Sequence, residues 1–425
     1  MESINLKGKK LLIMGATAQT VPFVETAKEM GIITYVADHL EDSVAKKYAD
    51  RPLLVNCLDV DALEKIVRDE SIDGVLVGCA DILVPYYAEL AERTGKFCYV
   101  TGKQASVLGN KKGLKKSLRK YGLPTIPEYF PDEYGNYETI KFHFPVFVKP
   151  VDNNSAKGMS VCYCEEEFEA AKEKALAASR SKTILVEDYM VCDDITVSYT
   201  LVDGEVHVVS IYDRYVNREQ KGVGTIPTGL LYPSKYTDLY FETAHDKVCK
   251  MFPALDMKNG VLSIQAFVCD GKIMFYDPAF RTTGGQGYLF YKYFGMCDQI
   301  KMLIRFALTG SMVDEKENIK WQCNFGSSCA MNLVILIKTG VIGKIEGLEQ
   351  IKDLPGVLNI TQCHFEGDGV TNYGTLDQTL ARLHLIADSK ENLRELIKKI
   401  LNLVKVVDCS GNNMLLGQQF DYNEL

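Results

Sequence analysis

The amino-acid sequence predicts a multidomain protein of mixed α/β and α+β class. The chain has 425 residues, more than one hydrophobic core requires, and this length allows about two to four domains. Its first hundred residues alternate short apolar runs with helical patterns. A middle region is rich in β-branched and aromatic runs joined by tight turns, and a further α/β pattern follows. Apolar residues make up 47% of the chain and charged residues 24%, which is typical of a folded globular protein.

The N-terminal region predicts a doubly wound α/β domain. The expected strands are 10–14, 33–37, 52–55, 74–78 and 98–100, and the expected helices are 21–30, 59–70 and 85–94. Strands separated by helices of about 10–15 residues are typical of βαβ units. Such units form a parallel sheet.

The middle of the chain predicts a different arrangement. A helix over 103–121 ends at Gly122, with Pro124 beyond it as a stop signal. Further strands are expected at 144–149, 159–163, 184–187, 195–201, 206–212, 260–269 and 272–276, and helices at 165–179 and 237–251. Asp-Gly turns between them favour an antiparallel sheet. From about Trp321, strands at 330–337 and 384–386 and a helix at 389–404 predict a third region.

Charge and cysteine content exclude several classes of protein. The net charge of -8 argues against general nucleic-acid binding. The 13 cysteines are scattered, without CxxC or zinc spacing, so we expect reduced thiols and a cytoplasmic protein. The first residues lack a signal-peptide pattern, and no apolar run approaches the roughly 20 residues that span a bilayer, so we expect no membrane contact.

Three features of the middle region carry the chemistry. The first is a pair of lysines, Lys111 at the start of a helix and Lys149 before Pro150, whose ammonium groups could neutralise a polyphosphate. The second is a loop of small polar residues over 152–159, where backbone N–H groups could approach phosphates. It lacks the GxxxxGK[ST] pattern, which disfavours a P-loop nucleotidase. The third is a hairpin that ends near Arg281.

The hairpin predicts a metal site by its register. A two-residue turn would pair Gln265 with Tyr276, whereas a three-residue loop over 270–272 would pair Gln265 with Asp277. We predict the three-residue loop. It places Gln265, Asp277 and Arg281 on one face, where the amide and carboxylate oxygens could hold Mg²⁺ together with phosphate oxygens.

This order of motifs resembles the ATP-grasp superfamily, within it the carbamoyl phosphate synthetase, biotin carboxylase and amino-acid ligase type. The resemblance covers almost the whole chain. It implies a parallel α/β pre-ATP-grasp domain over 1–105, a two-part ATP-grasp domain over 106–320 with a small lid subdomain at about 122–190, and a small C-terminal α/β domain over 321–425.

The resemblance also implies a set of site residues. ATP would be bound by Lys111, Lys149, Ser155, Lys157, Gly158, Glu187, Tyr189, Met190 and Asp194. Mg²⁺ would be held by Gln265 and Asp277. Lys149 and Arg281 would be catalytic, with Arg281 stabilising an acyl phosphate. Near the N-terminus, Thr17 and Gln19 would face the acceptor substrate.

The implied activity is that of an ATP-dependent carboxylate–amine ligase. A small carboxylate would be phosphorylated to an acyl phosphate, and an amine would convert it to an amide, releasing ADP and phosphate. A homodimer is compatible with the resemblance. The segment 213–218 contains two arginines that would either lie near the substrate carboxylate or form a solvated loop.

Two alternatives remain open. Ala279 stands where the family has a metal-binding Asn, which favours an ATP-binding regulatory protein with a weakened or inactive site. A dehydrogenase would use a GxGxxG turn after the first strand, but only Gly15 of those glycines is present. Nicotinamide binding is therefore disfavoured.

Overall fold

The computed structural model describes residues 5–108, 111–152, 158–219, 225–314, 319–417 and 419–425. Its N-terminal part contains a parallel sheet of strand order β3-β2-β1-β4. The strands are β1 (Lys10–Met14), β2 (Ile33–Asp38), β3 (Arg51–Leu54) and β4 (Gly74–Val77), and the helices are α1 (Val21–Glu29), α2 (Val60–Asp69) and α3 (Val84–Thr94). The central strand β1 is apolar and buried from Leu11 to Met14, as expected for a strand covered on both faces.

Two predicted elements at the end of this region are wrong. Residues 98–100 form no strand, because β4 is the edge of the parallel sheet and the chain turns there towards the next helix. The Cys98 thiol contacts the Val100 carbonyl oxygen at 3.0 Å within this bend. The helix predicted over 103–121 is two helices, α4 (Gly102–Leu108) and α5 (Lys111–Lys120), and residues 109–110 lie outside the described ranges.

A small antiparallel sheet follows, of order β5-β8-β6-β7. Its strands are β5 (Glu128–Tyr129), β6 (Val146–Pro150), β7 (Ser160–Cys162) and β8 (Ile184–Asp188), and helix α6 (Phe168–Ala178) packs on it. Phe142, Phe168 and Val186 lie in the core between the helix and the sheet. The helix is shorter than predicted because residues Glu165–Glu167 form a 3-10 turn.

The largest sheet has the order β13-β12-β9-β10-β11-β14-β18-β16 within the described ranges. Its strands are β9 (Asp193–Val202), β10 (Glu205–Asn217), β11 (Ile226–Tyr232), β12 (Gly260–Cys269), β13 (Lys272–Ala279), β14 (Cys329–Leu336), β16 (Val357–Gln362) and β18 (Thr379–Ala387). Every pair of neighbouring strands in it is antiparallel. The third region predicted from sequence therefore contributes three strands to the same sheet as the middle region.

The remaining elements surround this sheet. They are helices α7 (Thr237–Thr243), α8 (His245–Ala254), α9 (Tyr288–Tyr293), α10 (Gln299–Thr309), α11 (Leu348–Lys352) and α12 (Lys390–Leu403), and strands β15 (Gly340–Glu346), β17 (Gly369–Val370) and β19 (Lys405–Asp408). The helix predicted over 237–251 is divided at Ala244 into α7 and α8. In the described part of the chain, no helix is long and apolar enough to cross a membrane. The mixed α/β and α+β fold class is confirmed.

The β12–β13 hairpin confirms one prediction and corrects another. Gln265 pairs with Asp277, as predicted. The turn, however, has two residues, Asp270 and Gly271, which both have positive φ as a tight hairpin turn requires. A β-bulge then shifts the register between Gln265 and Ala266, so that Tyr276 is the extra residue on β13.

A second correction concerns residues 213–218. Instead of a loop, strand β10 continues through Asn217 and pairs with both β9 and β11. The Arg214 side chain is consequently held in the sheet, with only 10% of its surface exposed.

The contact between the N-terminal sheet and α10 can be tested at Gly74. A Cβ atom added there would lie 2.4 Å from the Ala307 carbonyl oxygen, closer than real Cβ contacts allow. We expect Gly74→Ala to destabilise the chain by about 1–3 kcal/mol, because backbone must shift to accept it. Gly102→Ala is the control, since nothing lies within 4 Å of its added Cβ. Equal melting temperatures for the two variants would contradict this packing.

Candidate functional site

A cleft of about 790 Å³ lies where the N-terminal sheet, the small antiparallel sheet and the β12–β13 hairpin meet. The loops after β1 and β4 form one wall, as is usual at the carboxyl ends of parallel strands. Phe147 and Lys149 on β6 form another, and Gln265 and Asp277 lie on the floor. The cleft brings together Lys111, Lys149, Glu187, Tyr189, Met190, Gln265, Asp277 and Arg281 of the predicted site residues, and also Thr17 and Gln19.

Glu187 is the centre of a buried ion-pair cluster beside this cleft. Its carboxylate contacts the Lys149 ammonium at 2.5 Å and also pairs with the Lys115 ammonium. The three side chains are at most 4% exposed. Lys115 also donates to the Ile126 carbonyl oxygen at 3.1 Å and lies 3.6 Å from a carboxylate oxygen of Glu128.

The cluster fixes the charge of its carboxylate. Burial alone would raise the pKa of Glu187, but the ammonium groups of Lys149 and Lys115 outweigh it and hold the pKa below its ordinary value. Glu187 is therefore an anion at neutral pH. Because the ion pairs join α5, β6 and β8, they hold the ammonium of Lys149 at a fixed place on the cleft wall.

The β12–β13 hairpin, which forms the floor of the cleft, has the oxygen atoms that a phosphate-bound cation needs. The carboxylate of Asp277 lies 3.2 Å from the Lys111 ammonium. Gln265 lies directly across the strand pair. Within the described ranges, no group of three or more His, Cys, Asp or Glu side chains is arranged to hold a metal ion. The facing amide and carboxylate oxygens of Gln265 and Asp277 fit a Mg²⁺ ion that takes its other ligands from nucleotide phosphates and water.

The structure places Asp194 outside the cleft lining. Its carboxylate pairs with Arg214 and accepts a hydrogen bond of 3.1 Å from the Tyr276 hydroxyl. Burial raises the pKa of Asp194 to about 6, although the Arg214 guanidinium opposes this. Its carboxylate is thus engaged by Arg214 and Tyr276, and the role of Asp194 in binding ATP stays a prediction.

The apolar part of the cleft lies near the end of β8. Tyr189 and Met190 line it together with the side chains of Ile126, Phe147, Met159 and Phe267. The Tyr189 hydroxyl accepts a hydrogen bond of 3.2 Å from Arg218. Flat apolar surfaces of this kind suit a planar aromatic base.

Of the three predicted residues of the phosphate loop, the structure describes only Gly158. Ser155 and Lys157 lie outside the described residues. Gly158 is not in the cleft lining. It has a φ of 75°, and an added Cβ would lie 2.4 Å from the Cβ of Ala178, so close packing against α6 explains why this position is glycine.

Arg281 is held at the end of β13 by a partner from the N-terminal region. Its guanidinium pairs with Asp81 and donates to the Thr282 carbonyl oxygen at 2.7 Å. Since Asp81 follows β4, this ion pair joins the N-terminal sheet to the hairpin. The sequence analysis did not identify Asp81.

The glycine segment after Arg281 is fixed by two buried side chains. The Gly285 carbonyl oxygen accepts hydrogen bonds from Asn332 Nδ2 at 2.6 Å and from His384 Nε2 at 3.1 Å. Burial lowers the pKa of His384 to about 4, so the ring is neutral at pH 7. A carbonyl can only accept, so the proton of the neutral ring lies on Nε2.

The far end of the cleft was missed by the sequence analysis. It is lined by Cys79, Tyr212, Cys363, Thr379 and Arg382. One signal was available, because Arg382 is the one charged residue of the apolar strand TLARLHLIA. Lys115 was also missed, since nothing in its helix distinguishes it from the exposed lysines nearby.

Comparisons of sequence find one matching family model and several similar proteins. The family model "D-ala D-ala ligase C-terminus" matches residues 129–274. The formate-dependent phosphoribosylglycinamide formyltransferase of Cronobacter sakazakii is 24% identical over 279 residues, which are 64% of this chain and 69% of that protein. The relative of the same name from Sulfurisphaera tokodaii is 30% identical over 241 residues, which are 55% of this chain and 56% of that protein.

Comparisons of structure give the same fold. The L-amino acid ligase of Bacillus licheniformis superposes with a TM-score of 0.75 and 17% identity, over 95% of this chain and 99% of that one. The biotin carboxylase domain of Hydrogenobacter thermophilus 2-oxoglutarate carboxylase was crystallised with MgADP and bicarbonate. It superposes with a TM-score of 0.76 and 18% identity, over 96% of this chain and 91% of that one. At such low identity the likeness is one of fold.

The buried cluster generates a test of stability. We expect Glu187→Gln to lower the free energy of unfolding by about 3 kcal/mol or more, because it removes the buried carboxylate that Lys149 and Lys115 share and leaves Lys115 only the more distant Glu128. Urea denaturation measures the change. Glu169→Gln, at an exposed position on α6, is the matched control and should leave stability unchanged. A Glu187 variant as stable as this control would contradict the cluster.

His384 generates a test of pH dependence. The folded chain keeps the ring neutral down to about pH 4, whereas the unfolded chain protonates it near the ordinary pKa of 6.5. Lowering the pH across this interval therefore favours unfolding. We expect the free energy of unfolding to fall more steeply from pH 6.5 to 4 in the natural chain than in His384→Gln. Equal slopes would show that the ring is not held neutral.

Proposed function

We propose that this chain is a member of the ATP-grasp superfamily and an ATP-dependent carboxylate–amine ligase. One observation carries the proposal. Two buried lysines, Lys111 and Lys149, and the facing pair Gln265 and Asp277 converge on one cleft, which continues past Arg281 to a second polar end. Such a cleft has room for a nucleotide and for a second substrate next to its terminal phosphate.

The proposal assigns the two parts of the cleft. The adenine would lie between the apolar side chains near Tyr189 and Met190. The triphosphate would extend along Lys111 and Lys149, whose charges compensate it. Gln265 and Asp277 would hold Mg²⁺ bound to the phosphates, and the ion would supply charge neutralisation. In this proposal residues 1–105, 106–320 and 321–425 are the three domains of the chain.

The proposed reaction has two steps. A carboxylate oxygen of the substrate attacks the γ-phosphorus, and the bond to the β,γ-bridging oxygen breaks to release ADP. An amine nitrogen then attacks the acyl carbon, loses a proton and expels inorganic phosphate, which leaves an amide. Lys149 and Arg281 act by stabilising negative charge on the transferring phosphoryl group, because phosphoryl transfer depends mainly on positioning and electrostatics.

The fixed glycine segment supports the same assignment. Asn332 and His384 both donate to the Gly285 carbonyl oxygen and thereby set the orientation of the peptide groups beside Arg281. Preorganised dipoles at a site of developing charge are an effective means of stabilising a transition state. These two residues are assigned as positioning residues, since they act through the backbone of this segment.

The activity is tested by ADP release. We expect the chain to release ADP only in the presence of both a small carboxylate and an amine, measured against a panel of amino acids and other small acids. Lys149→Ala and Asp277→Ala should reduce kcat at least about 100-fold, as is usual for loss of a phosphate-stabilising charge. Lys65→Ala, an exposed lysine on α2, is the control and should retain full activity.

Two outcomes would contradict the proposal. ATP hydrolysis that no acid or amine stimulates would remove the ligase assignment. ATP binding without any turnover would favour the regulatory alternative that Ala279 suggests.

A further inference from the structure

Arg382 is a buried cation at the far end of the cleft. It lies on β18, where it pairs with Val334 of β14 and Thr361 of β16. Only 6% of the residue is exposed, and the exposed part lines the cleft. Strand alternation places it on the same face as His384, which contacts the glycine segment after Arg281.

The guanidinium of Arg382 has no partner in the described part of the chain. Its Nε is buried without a hydrogen bond, and no carboxylate of the described residues pairs with it. Burial lowers the pKa of Arg382, although an arginine remains charged at neutral pH. A buried and unpaired charge is costly, so its presence calls for a partner that is supplied from the cleft.

The groups around Arg382 are neutral. Its electrostatic neighbours are Cys79, Cys363, Tyr212 and Tyr232, whose pKa values are all raised by burial. His384 is neutral as well. The other cation at this end, Arg281, is already paired with Asp81. Among the described residues, the far end therefore carries one uncompensated positive charge.

We propose that Arg382 binds the carboxylate of the amine substrate, so that the second substrate is an amino acid or a similar amino-carboxylate. This inference rests on the proposed ligase function and names the class of one substrate. The planar fork of a guanidinium binds a carboxylate with two parallel hydrogen bonds. The single positive charge of Arg382 balances the single negative charge of a carboxylate. A phosphate monoester carries about two negative charges near neutral pH and would be left partly uncompensated here.

The arrangement explains two further features of the cleft. Arg281 and Arg382 are both electrostatic neighbours of Cys79, so a substrate between them can have its amine near the acyl phosphate and its carboxylate at Arg382. Small neutral side chains such as Cys79, Cys363 and Thr379 line the space. They leave room for the substrate and do not compete for the guanidinium.

The test uses two variants of the full chain and one control. Arg382→Met removes the charge but keeps an unbranched, flexible side chain, and Arg382→Lys keeps the charge but removes the fork. Arg305→Met removes a guanidinium of similar burial that pairs with Asp314 at 3.2 Å and does not line the cleft. The amines are the proteinogenic L-amino acids, their carboxamides and O-phosphoethanolamine.

Stability distinguishes a binding residue from a structural one. We expect Arg382→Met to melt at the same temperature as the natural chain or above it, because an unpaired buried charge is removed. Arg305→Met should melt at a lower temperature, because Asp314 loses this partner. A marked fall in the melting temperature of Arg382→Met would overturn the proposal.

Kinetics test the substrate class. We expect free amino acids to be preferred over their carboxamides, and Arg382→Met to raise the KM for the amino acid about 30-fold or more, as the loss of charge-assisted hydrogen bonds predicts. The KM for ATP should not change. Arg382→Lys should be intermediate, and Arg305→Met should be like the natural chain. Equal use of carboxamides, or a preference for O-phosphoethanolamine, would overturn the carboxylate assignment.

Binding without turnover separates this inference from the ligase function. If no amine stimulates ADP release, the ligase proposal fails, and thermal stabilisation of the chain by L-amino acids in the absence of ATP still tests Arg382. Stabilisation of the natural chain that is lost in Arg382→Met supports the binding site. The absence of stabilisation by every amino acid overturns it.

Discussion

The buried carboxylate of Glu187 is the interaction on which the site depends. It lies between the ammonium groups of Lys115 and Lys149, and so joins helix α5 to strands β6 and β8. Without it, the ammonium of Lys149 would be buried without its carboxylate, and Lys115 would keep only the more distant Glu128, which is costly at low dielectric. The same pairing that stabilises the fold thus positions Lys149 on the cleft wall. One cluster thus contributes both to the stability of the fold and to the position of Lys149 on the cleft wall.

The cations of the cleft differ in how they are compensated. Lys111 pairs with Asp277, Lys149 with Glu187 and Arg281 with Asp81. Each can remain buried in the free protein because an acid lies beside it. Arg382 has no such acid in the described residues, and its charge is balanced only when an anion enters. The cleft therefore has two parts. In one, each cation is paired with an acid before a ligand binds, and in the other, the charge of Arg382 is neutralised only by a bound anion.

Local sequence patterns predicted the parallel sheet, the helices around it and the pairing of Gln265 with Asp277. The reason for that pairing was not local. A bulge at Tyr276, whose hydroxyl bonds to Asp194 and Arg214, sets the register instead of a longer turn. Strand β11, the burial of Lys115 and the contact of Asp81 with Arg281 depend on residues far apart in the chain, and hydrophobic periodicity carries no information about them.

The acyl phosphate is the central chemical claim, and oxygen transfer tests it most directly. A carboxylic acid that stimulates ADP release is labelled with ¹⁸O in both carboxylate oxygens, and the released phosphate is analysed by mass spectrometry. Attack of the carboxylate on the γ-phosphorus, followed by displacement by the amine, should transfer one labelled oxygen to each phosphate. Phosphate without label, or label in AMP, would contradict the proposed mechanism.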